Sequence, residues 1–296
     1  MTVPILRRTT ERNPMNISHT TGPVLVGIDG STAALDAVRF AVREARGRGT
    51  SLRLVHVIEP QMQRETVYGA PDVDGDYART VLDQAAIIAR TSDPTVIAEA
   101  VVLQGVPETV MLSEAASACL IVLGAKTENS IAARVLGSMV RTVVECSPNP
   151  VAVVHTFDSE RDGAVVAALG EAKVSASDLV VAQAFHEASM RGATVLAVHT
   201  QTVSTILASA SAIGGPVDHL HPESAMDVRL EPFSADYPSV RVASVYAEAD
   251  AGSELVAVSD TAQLLVVGHE RDRVPGSTLT KVLRHAECPV LVVPHA

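Results

Sequence analysis

The chain has 296 residues, of which 47% are hydrophobic and 19% are charged, and its net charge is −11. This length and composition predict a globular protein of about two domains and exclude a disordered chain. The negative charge opposes the phosphate backbone of nucleic acids, and four Phe, four Tyr and no Trp offer few rings for stacking on bases. Nucleic-acid binding is therefore not expected. No apolar run approaches the ~20 residues of a membrane-spanning helix, so no membrane association is expected either.

Residues 1–22 contain basic residues but no apolar segment of signal-peptide length, and we interpret them as a flexible extension. The three cysteines, Cys119, Cys146 and Cys288, lie in or beside predicted core elements. An odd number of cysteines in such positions is typical of reduced, buried thiols, and it predicts a cytoplasmic protein.

Strands and helices alternate along the chain from residue 24 onward. The apolar run from Val24 to Ile28 predicts a strand, and Ser31 or Thr32 is the candidate N-cap of a helix that continues to about Arg46. Gly47 and Gly49 predict its end. The same reasoning predicts further strands at 52–58, 96–103, 120–124 and 151–154, and further helices at 77–90, 107–118 and from 138 onward. Residues 61–75 are predicted to be a loop over one end of the sheet.

This alternation predicts right-handed βαβ units, and hence a parallel sheet with helices on both faces. Ligands of such sheets bind at the carboxyl ends of the strands, where the strand order reverses. The loops after the first and fourth strands carry Asp29 and the segment from Gly124 to Gly137. Free N–H groups and the positive end of the helix dipole at Gly137 and Ser138 suit an anion. The segment is therefore a candidate phosphate site of a nucleotide.

An internal repeat follows the charged linker at 156–163. Four pairs of segments match at nearly constant spacing along the chain. Residues 48–56 match 191–199 at a spacing of 143 residues, and 120–124 match 264–268 at a spacing of 144. Residues 137–138 match 276–277, and 150–151 match 289–290, both at a spacing of 139. Spacing that holds over a whole domain indicates duplication. We therefore predict two domains, at 23–155 and 163–296, with a phosphate loop that is shorter in the second.

The repeated segments resemble the tandem universal stress proteins of the actinobacterial type. The resemblance is carried by VLVGIDGS at 24–31, LVHV at 54–57, IVLGAKTENSIAARVLGSMV at 121–140 and VVGHERDRVPGSTLTKVLRHAECPVLVV at 266–293. It implies an α/β fold of two tandem repeats, each a five-stranded parallel sheet with helices on both faces, adenine nucleotide α-hydrolase-like and Rossmann-like. In this family the fifth strands pair across a dimer axis, so Val151–Val154 would pair with Val290–Val293 in an internal pseudo-dimer.

The resemblance also implies an adenine-nucleotide site in the first repeat. ATP-binding members of the family carry Gly, two residues, Gly, nine residues, and then Gly-Ser or Gly-Thr. Carried over to this sequence, the nucleotide-binding residues would be Gly27, Asp29, Val57, Gly124, Lys126, Gly137, Ser138 and Met139. The implied cofactor is ATP, with Mg²⁺ as its companion ion. A weaker second site would be formed by Gly268, Gly276, Ser277 and Thr278.

Both repeats depart from the family pattern. Thr127 stands at the middle glycine, and its Cβ restricts the positive φ that glycine permits. Lys126 could compensate with a charge-assisted phosphate contact, although a solvated loop lysine is the simpler interpretation. In the second repeat only seven residues separate Gly268 from Gly276, and Gly170 or Glu171 replaces Asp29. A loop this short is not expected to wrap a triphosphate.

Several of these residues have a purely structural interpretation as well. Asp29 could serve only as a turn residue, since Asp-Gly-Ser is a common turn sequence. Gly124 is compatible with a role in chain direction alone, and Gly137 with Ser138 could simply cap a helix. Their recurrence at Gly276 favours an inherited phosphate cradle.

The histidines give weaker signals. His56 and His199 recur at the same strand end, where a hydrogen-bonded histidine at the core edge is the simpler interpretation. His219 and His221 have no nearby thiolate or third histidine, so no metal site is assigned. The remaining candidates are a small basic cluster that could meet an anion or face solvent, at His269, Arg271 and Arg273.

No catalytic residue is assigned, because the sequence has no Gly-Lys-Ser/Thr phosphate loop and no Gly-x-Ser-x-Gly elbow. Three hypotheses remain. The first is a nucleotide-responsive regulator with a role in stress survival, and the second is a nucleotide-free scaffold that acts through protein contacts, as a homodimer or with a regulatory partner. The third is a slow ATP hydrolase.

Overall fold

The computed structural model describes residues 21–60, 73–125, 136–170, 174–200, 222–247 and 250–296. The strands in these ranges are β1 (Val24–Gly27), β2 (Leu52–Ile58), β3 (Ala98–Gln104), β4 (Leu120–Gly124), β5 (Val151–Val154), β6 (Val165–Leu169), β7 (Val195–Thr200), β8 (Val242–Ala247), β9 (Leu264–Glu270) and β10 (Val290–His295). The helices are α1 (Thr32–Arg48), α2 (Val73–Ser92), α3 (Pro107–Ala115), α4 (Ser138–Cys146), α5 (Val174–Arg191), α6 (Pro222–Asp236), α7 (Ala251–Ser259) and α8 (Ser277–His285). The predicted extension lies outside these ranges up to residue 20, and so does most of the loop predicted at 61–75, whose last three residues belong to α2.

All ten strands belong to one sheet, in the order β3-β2-β1-β4-β5-β10-β9-β6-β7-β8. Within β1–β5, which we call half one, and within β6–β10, which we call half two, all neighbours are parallel. The halves join through an antiparallel pair in which Val290, Leu291 and Val292 lie opposite Val153, Ala152 and Val151. The predicted α/β repeats and the predicted pairing of the fifth strands are both confirmed. The pairing gives each valine-rich strand a partner in place of an exposed edge.

Helices cover both faces of the sheet. Because side chains alternate along a strand, Val24 and Val26 of β1 point to one face and Leu25 to the other. The first face is packed against α1, α2, α5 and α6, and the second against α3, α4, α7 and α8. Each half therefore has a core on both sides of its strands.

The two ends of α1 show how local sequence sets this architecture. Ser31 is the N-cap, and its side chain accepts a hydrogen bond from the Ala34 N–H at 3.2 Å. The helix ends at Gly49, whose φ of 64° is left-handed. The prediction that Gly47 also ends the helix is wrong. Gly47 lies inside α1 because α5 approaches closely there, and an added Cβ would lie 2.9 Å from the Met190 sulfur.

A buried ion-pair quartet joins α1 to α5 across the two halves. It consists of Glu44 and Arg48 from α1 and Glu187 and Arg191 from α5, and each arginine contacts both glutamates. The glutamate side chains are 1% and 0% exposed. Burial alone would raise the pKa of Glu187, but the charges of Arg48 and Arg191 prevail and lower it to about 2. Glu187 is therefore ionised at neutral pH and held between two cations.

The linker between the halves is fixed to half two by Arg161. Its guanidinium donates hydrogen bonds to the backbone carbonyls of Asp260 and Glu287, and to that of Ser259 at 3.3 Å. We expect Arg161→Ala to lower the free energy of unfolding by about 2 kcal/mol, because charge-assisted bonds at a helix end are lost. Urea denaturation measures this loss.

A matched control for Arg161→Ala is Arg79→Ala. Arg79 also forms a hydrogen-bonded contact, with Asp76 at 2.7 Å, but the two side chains are 68% and 69% exposed. Such surface pairs contribute about 0.5 kcal/mol or less. Equal losses for the two variants would contradict the role of Arg161.

The three cysteines are free thiols, but the predicted burial holds only for Cys288, whereas Cys119 and Cys146 are partly exposed. Cys288 is buried, and burial raises the pKa of its thiol to about 12. Among the described helices, none combines the length and the apolar character that a membrane crossing requires.

Candidate functional site

The strand order of half one reverses at β1, which lies between β2 and β4. At the carboxyl ends of these strands Gly27 is in register with Leu123. A Cβ added at Gly27 would lie 3.0 Å from Leu123 Cδ2 and 3.8 Å from Met139 Cε. The structure thus brings together three of the predicted site residues, Gly27, Met139 and the neighbouring Gly124.

Gly124 has a structural role at the end of β4. A Cβ added there would lie 2.5 Å from both the Ala33 carbonyl carbon and the Ala34 nitrogen, which are backbone atoms of α1. Only glycine lets α1 approach β4 this closely. The position is explained by packing, with or without a ligand.

Asp29 forms a local turn above β1. Its Oδ1 accepts hydrogen bonds from the Ser31 N–H at 3.0 Å and from the Ser31 hydroxyl at 2.6 Å, and Gly30 between them has a φ of 80°. The Asp29 carbonyl also accepts a hydrogen bond from the Tyr77 hydroxyl at 3.2 Å. Asp29 is exposed, so its carboxylate can face a ligand while it holds the turn.

Val57 lies beside Asp29 at the end of β2, in a small cavity of about 230 Å³ that His56, Tyr77 and Asp74 also line. The His56 Nδ1 lies 2.7 Å from the Ile28 carbonyl, so His56 is a hydrogen-bonded core-edge residue. Its ring meets the Tyr77 ring edge-on, with centroids 5.9 Å apart. Sequence reasoning did not assign Tyr77 to the site, since only the packing of α2 against β2 and α1 places it there.

The predicted phosphate cradle is at the start of α4. Gly137 is the N-cap, makes no side-chain cap bond, and has no heavy atom within 4 Å of where a Cβ would lie. The next residue, Ser138, donates its hydroxyl to Oε1 of Glu108 at 2.9 Å. Glu108, in the first turn of α3, is the second residue that sequence reasoning missed, and no pattern links it to Ser138. An anion at this cradle would meet the Glu108 carboxylate.

Lys126 and the non-glycine position Thr127 lie outside the described residues. So do His219 and His221. In the parts of the chain that are described, no three His, Cys, Asp or Glu side chains come together as metal ligands.

In half two the strand order reverses at β6, and a cavity of about 360 Å³ opens at the carboxyl ends of β6 and β9. Gly268, Gly276 and Thr278 of the predicted second site line it, and Ser277 begins α8 with an exposed side chain. Gly170, in the position that corresponds to Asp29, also lines the cavity.

Comparison with known proteins gives one consistent result. The model of the universal stress protein family matches residues 20–155 and again residues 166–294. A universal stress protein of Mycobacterium tuberculosis is 32% identical over 91% of this chain and 95% of its own length. The crystal structure of a universal stress protein from Archaeoglobus fulgidus has a TM-score of 0.72 and 16% identity, and the match covers 93% of this chain and 98% of that one. A shorter one from the same organism, solved in complex with dAMP, matches 46% of this chain and 98% of its own, with 24% identity and a TM-score of 0.36.

Two matches of the family model cover both halves, and the tuberculosis relative is aligned along nearly its whole length. The doubled sheet and the pairing of β5 with β10 agree with a tandem arrangement of two such domains. The chain belongs to the universal stress protein family.

Proposed function

We propose that this universal stress protein is a cytoplasmic regulator that binds an adenine nucleotide, ATP with Mg²⁺ foremost, in half one and performs no catalysis of its own. The observation that carries the proposal is the start of α4. Gly137 leaves the helix N-terminus without a side-chain cap, and the space around it is open. N–H groups at such an end bind phosphate, and the helix dipole favours negative charge there.

The neighbouring strand ends suit the rest of the nucleotide. Asp29 follows β1 and Val57 lies at the end of β2, on the same edge of the sheet as Gly137, and Asp29 is exposed. A carboxylate in this position can accept hydrogen bonds from ribose hydroxyls, as the acidic residue of other nucleotide-binding α/β folds does. The purine would then lie beside Val57.

Glu108 supports a regulatory site of modest affinity. Its carboxylate holds the Ser138 hydroxyl in the free protein, so a phosphate at Ser138 must break this bond and face a like charge. The same contact favours the second candidate function, a nucleotide-free scaffold that works through protein contacts as a homodimer or with a regulatory partner. The two functions differ in a measurable way.

Titration with a fluorescent ATP analogue tests the proposal. We expect Gly137→Asp to weaken binding at least tenfold, because it places a carboxylate at the phosphate position without a steric clash. We expect Glu108→Gln to strengthen binding roughly three- to tenfold, because the repulsive charge is removed and the shape is kept. Gly276→Asp, the same change in half two, is the matched control and should leave this binding unchanged.

The opposite results identify the other hypotheses. If the wild type and Glu108→Gln both fail to bind the analogue at millimolar concentration, the nucleotide-free scaffold is the supported function and the nucleotide-binding regulator is rejected. Phosphate release from ATP that is lost in Gly137→Asp would establish the slow hydrolase.

A further inference from the structure

The cavity of half two has the features of a small-molecule site. Its volume of about 360 Å³ opens to solvent at the carboxyl ends of β6 and β9. The interior is formed mainly by apolar side chains, among them Val180, Val198, Leu255 and Val282. Ligand sites of this kind combine apolar walls with a few polar groups that fix orientation.

His269 is a polar group in this wall that lacks a partner. Its side chain lines the cavity and the residue is only 6% exposed, yet among the described residues its Nε2 has no hydrogen-bond partner. Burial lowers the pKa of His269, and a hydrogen bond with the Arg273 backbone opposes this shift in part. A neutral ring with its hydrogen on Nδ1 would present a buried lone pair at Nε2. A ligand hydroxyl or N–H group would satisfy it.

The mouth of the cavity has limited positive charge. Gly276 begins α8 without a side-chain cap, and an added Cβ there would have no heavy atom within 4 Å. The helix end and Arg273 attract an anion, but the Glu270 carboxylate lies 3.0 Å from the Arg273 Nε and offsets its charge. The balance suits one negative group better than several.

Two backbone amides of the loop before α8 are hydrogen-bonded within the protein and are not free to bind a phosphate chain. The Arg271 N–H donates to the His295 carbonyl at 2.8 Å, and the Asp272 N–H donates to the Glu145 carbonyl of α4 at 2.9 Å. These bonds tie the loop to β10 and to half one. A polyphosphate therefore cannot bind through these two amides.

We propose that half two binds a small molecule that combines an apolar body with a single anionic group. The body occupies the cavity, the anionic group lies at the N–H groups that open α8 near Gly276 and Thr278, and a donor on the ligand meets His269 Nε2. Two sources share this chemistry, a nucleoside monophosphate and an apolar carboxylate. A nucleoside triphosphate does not match the site.

Isothermal titration of the full chain with AMP, decanoate and ATP tests the proposal, in the Gly137→Asp background that closes the proposed site of half one. We expect AMP, decanoate or both to bind with one equivalent, and ATP to bind at least tenfold more weakly. Which of the two binds identifies the source. Because the Gly137→Asp background removes binding at half one, the test of half two can be interpreted even if half one binds no nucleotide in the wild type.

Gly276→Asp should weaken that binding at least tenfold. Aspartate is a preferred N-cap, so the melting temperature should stay the same or rise, which separates loss of binding from loss of folding. His269→Phe should lower affinity at least fivefold while it raises the melting temperature, because it removes a buried acceptor without a partner. A purely structural histidine would give a lower melting temperature and unchanged affinity.

Three results would overturn the proposal. The first is tighter binding of ATP than of both AMP and decanoate. The second is binding that Gly276→Asp leaves unchanged. The third is the absence of heat for all three probes at millimolar concentration, together with no change in the fluorescence of 8-anilinonaphthalene-1-sulfonate, a probe with an apolar body and one anionic group.

Discussion

Glu187→Ala is expected to lower the free energy of unfolding by about 3 to 5 kcal/mol, as removal of one partner from a buried ion pair does. In the quartet Glu187 is fully buried and contacts both Arg48 and Arg191. Without it, two buried guanidinium groups share the single carboxylate of Glu44, and one positive charge is left uncompensated. Chemical denaturation followed by circular dichroism gives the loss directly.

The double variant Glu187→Ala/Arg191→Ala distinguishes charge from packing. It restores neutrality, because Glu44 and Arg48 remain paired at 2.9 Å within α1. We therefore expect the double variant to lose at least 1 kcal/mol less than the sum of the two single losses. Strictly additive losses would mean that the quartet acts through volume alone. The exposed pair of Asp76 and Arg79 gives the baseline for a surface ion pair.

The quartet also shows how far a buried contact between the halves can be predicted from the sequence. The α1 and α5 pairs stand at i and i+4 in each repeat and are related by the same spacing of 143 that revealed the duplication. A glutamate and an arginine repeated on the apolar side of two corresponding helices indicate a buried contact about the pseudo-twofold. Apolar periodicity alone does not reveal it, because the partners face each other only after β5 pairs with β10.

The fold could be predicted because its signals are local. A few neighbouring residues are enough to recognise the buried strands of four to seven residues, the turn glycines and the cap at Ser31. The contents of the candidate sites depend on long-range packing. Glu108 reaches Ser138 only because α3 lies beside α4, and the cavity of half two depends on a loop that bonds to Glu145 and His295.

The glycines of the candidate site in half one differ in kind, and substitution separates them. Gly124→Ala should lower the free energy of unfolding by about 3 kcal/mol, the upper part of the range for overpacking. Its Cβ would lie 2.5 Å from the backbone of Ala33 and Ala34, so α1 as a whole must move away from β4. Urea denaturation measures the effect, with α1 displacement visible as faster amide exchange at Ala37 and Val38.

Gly137→Ala is the matched control for Gly124→Ala. Gly137 has a φ of −60° and open space around it, so an added methyl group meets no atom and the loss should stay below about 1 kcal/mol. At Gly268, which corresponds to Gly124 in half two, the nearest atom to an added Cβ is the Val180 Cγ2 at 3.1 Å. A side chain can yield where a backbone cannot, so Gly268→Ala should fall between the two. Equal losses at Gly124 and Gly137 would show that the close approach of α1 to β4 does not set the glycine requirement, and ligand binding would then become the reason for both.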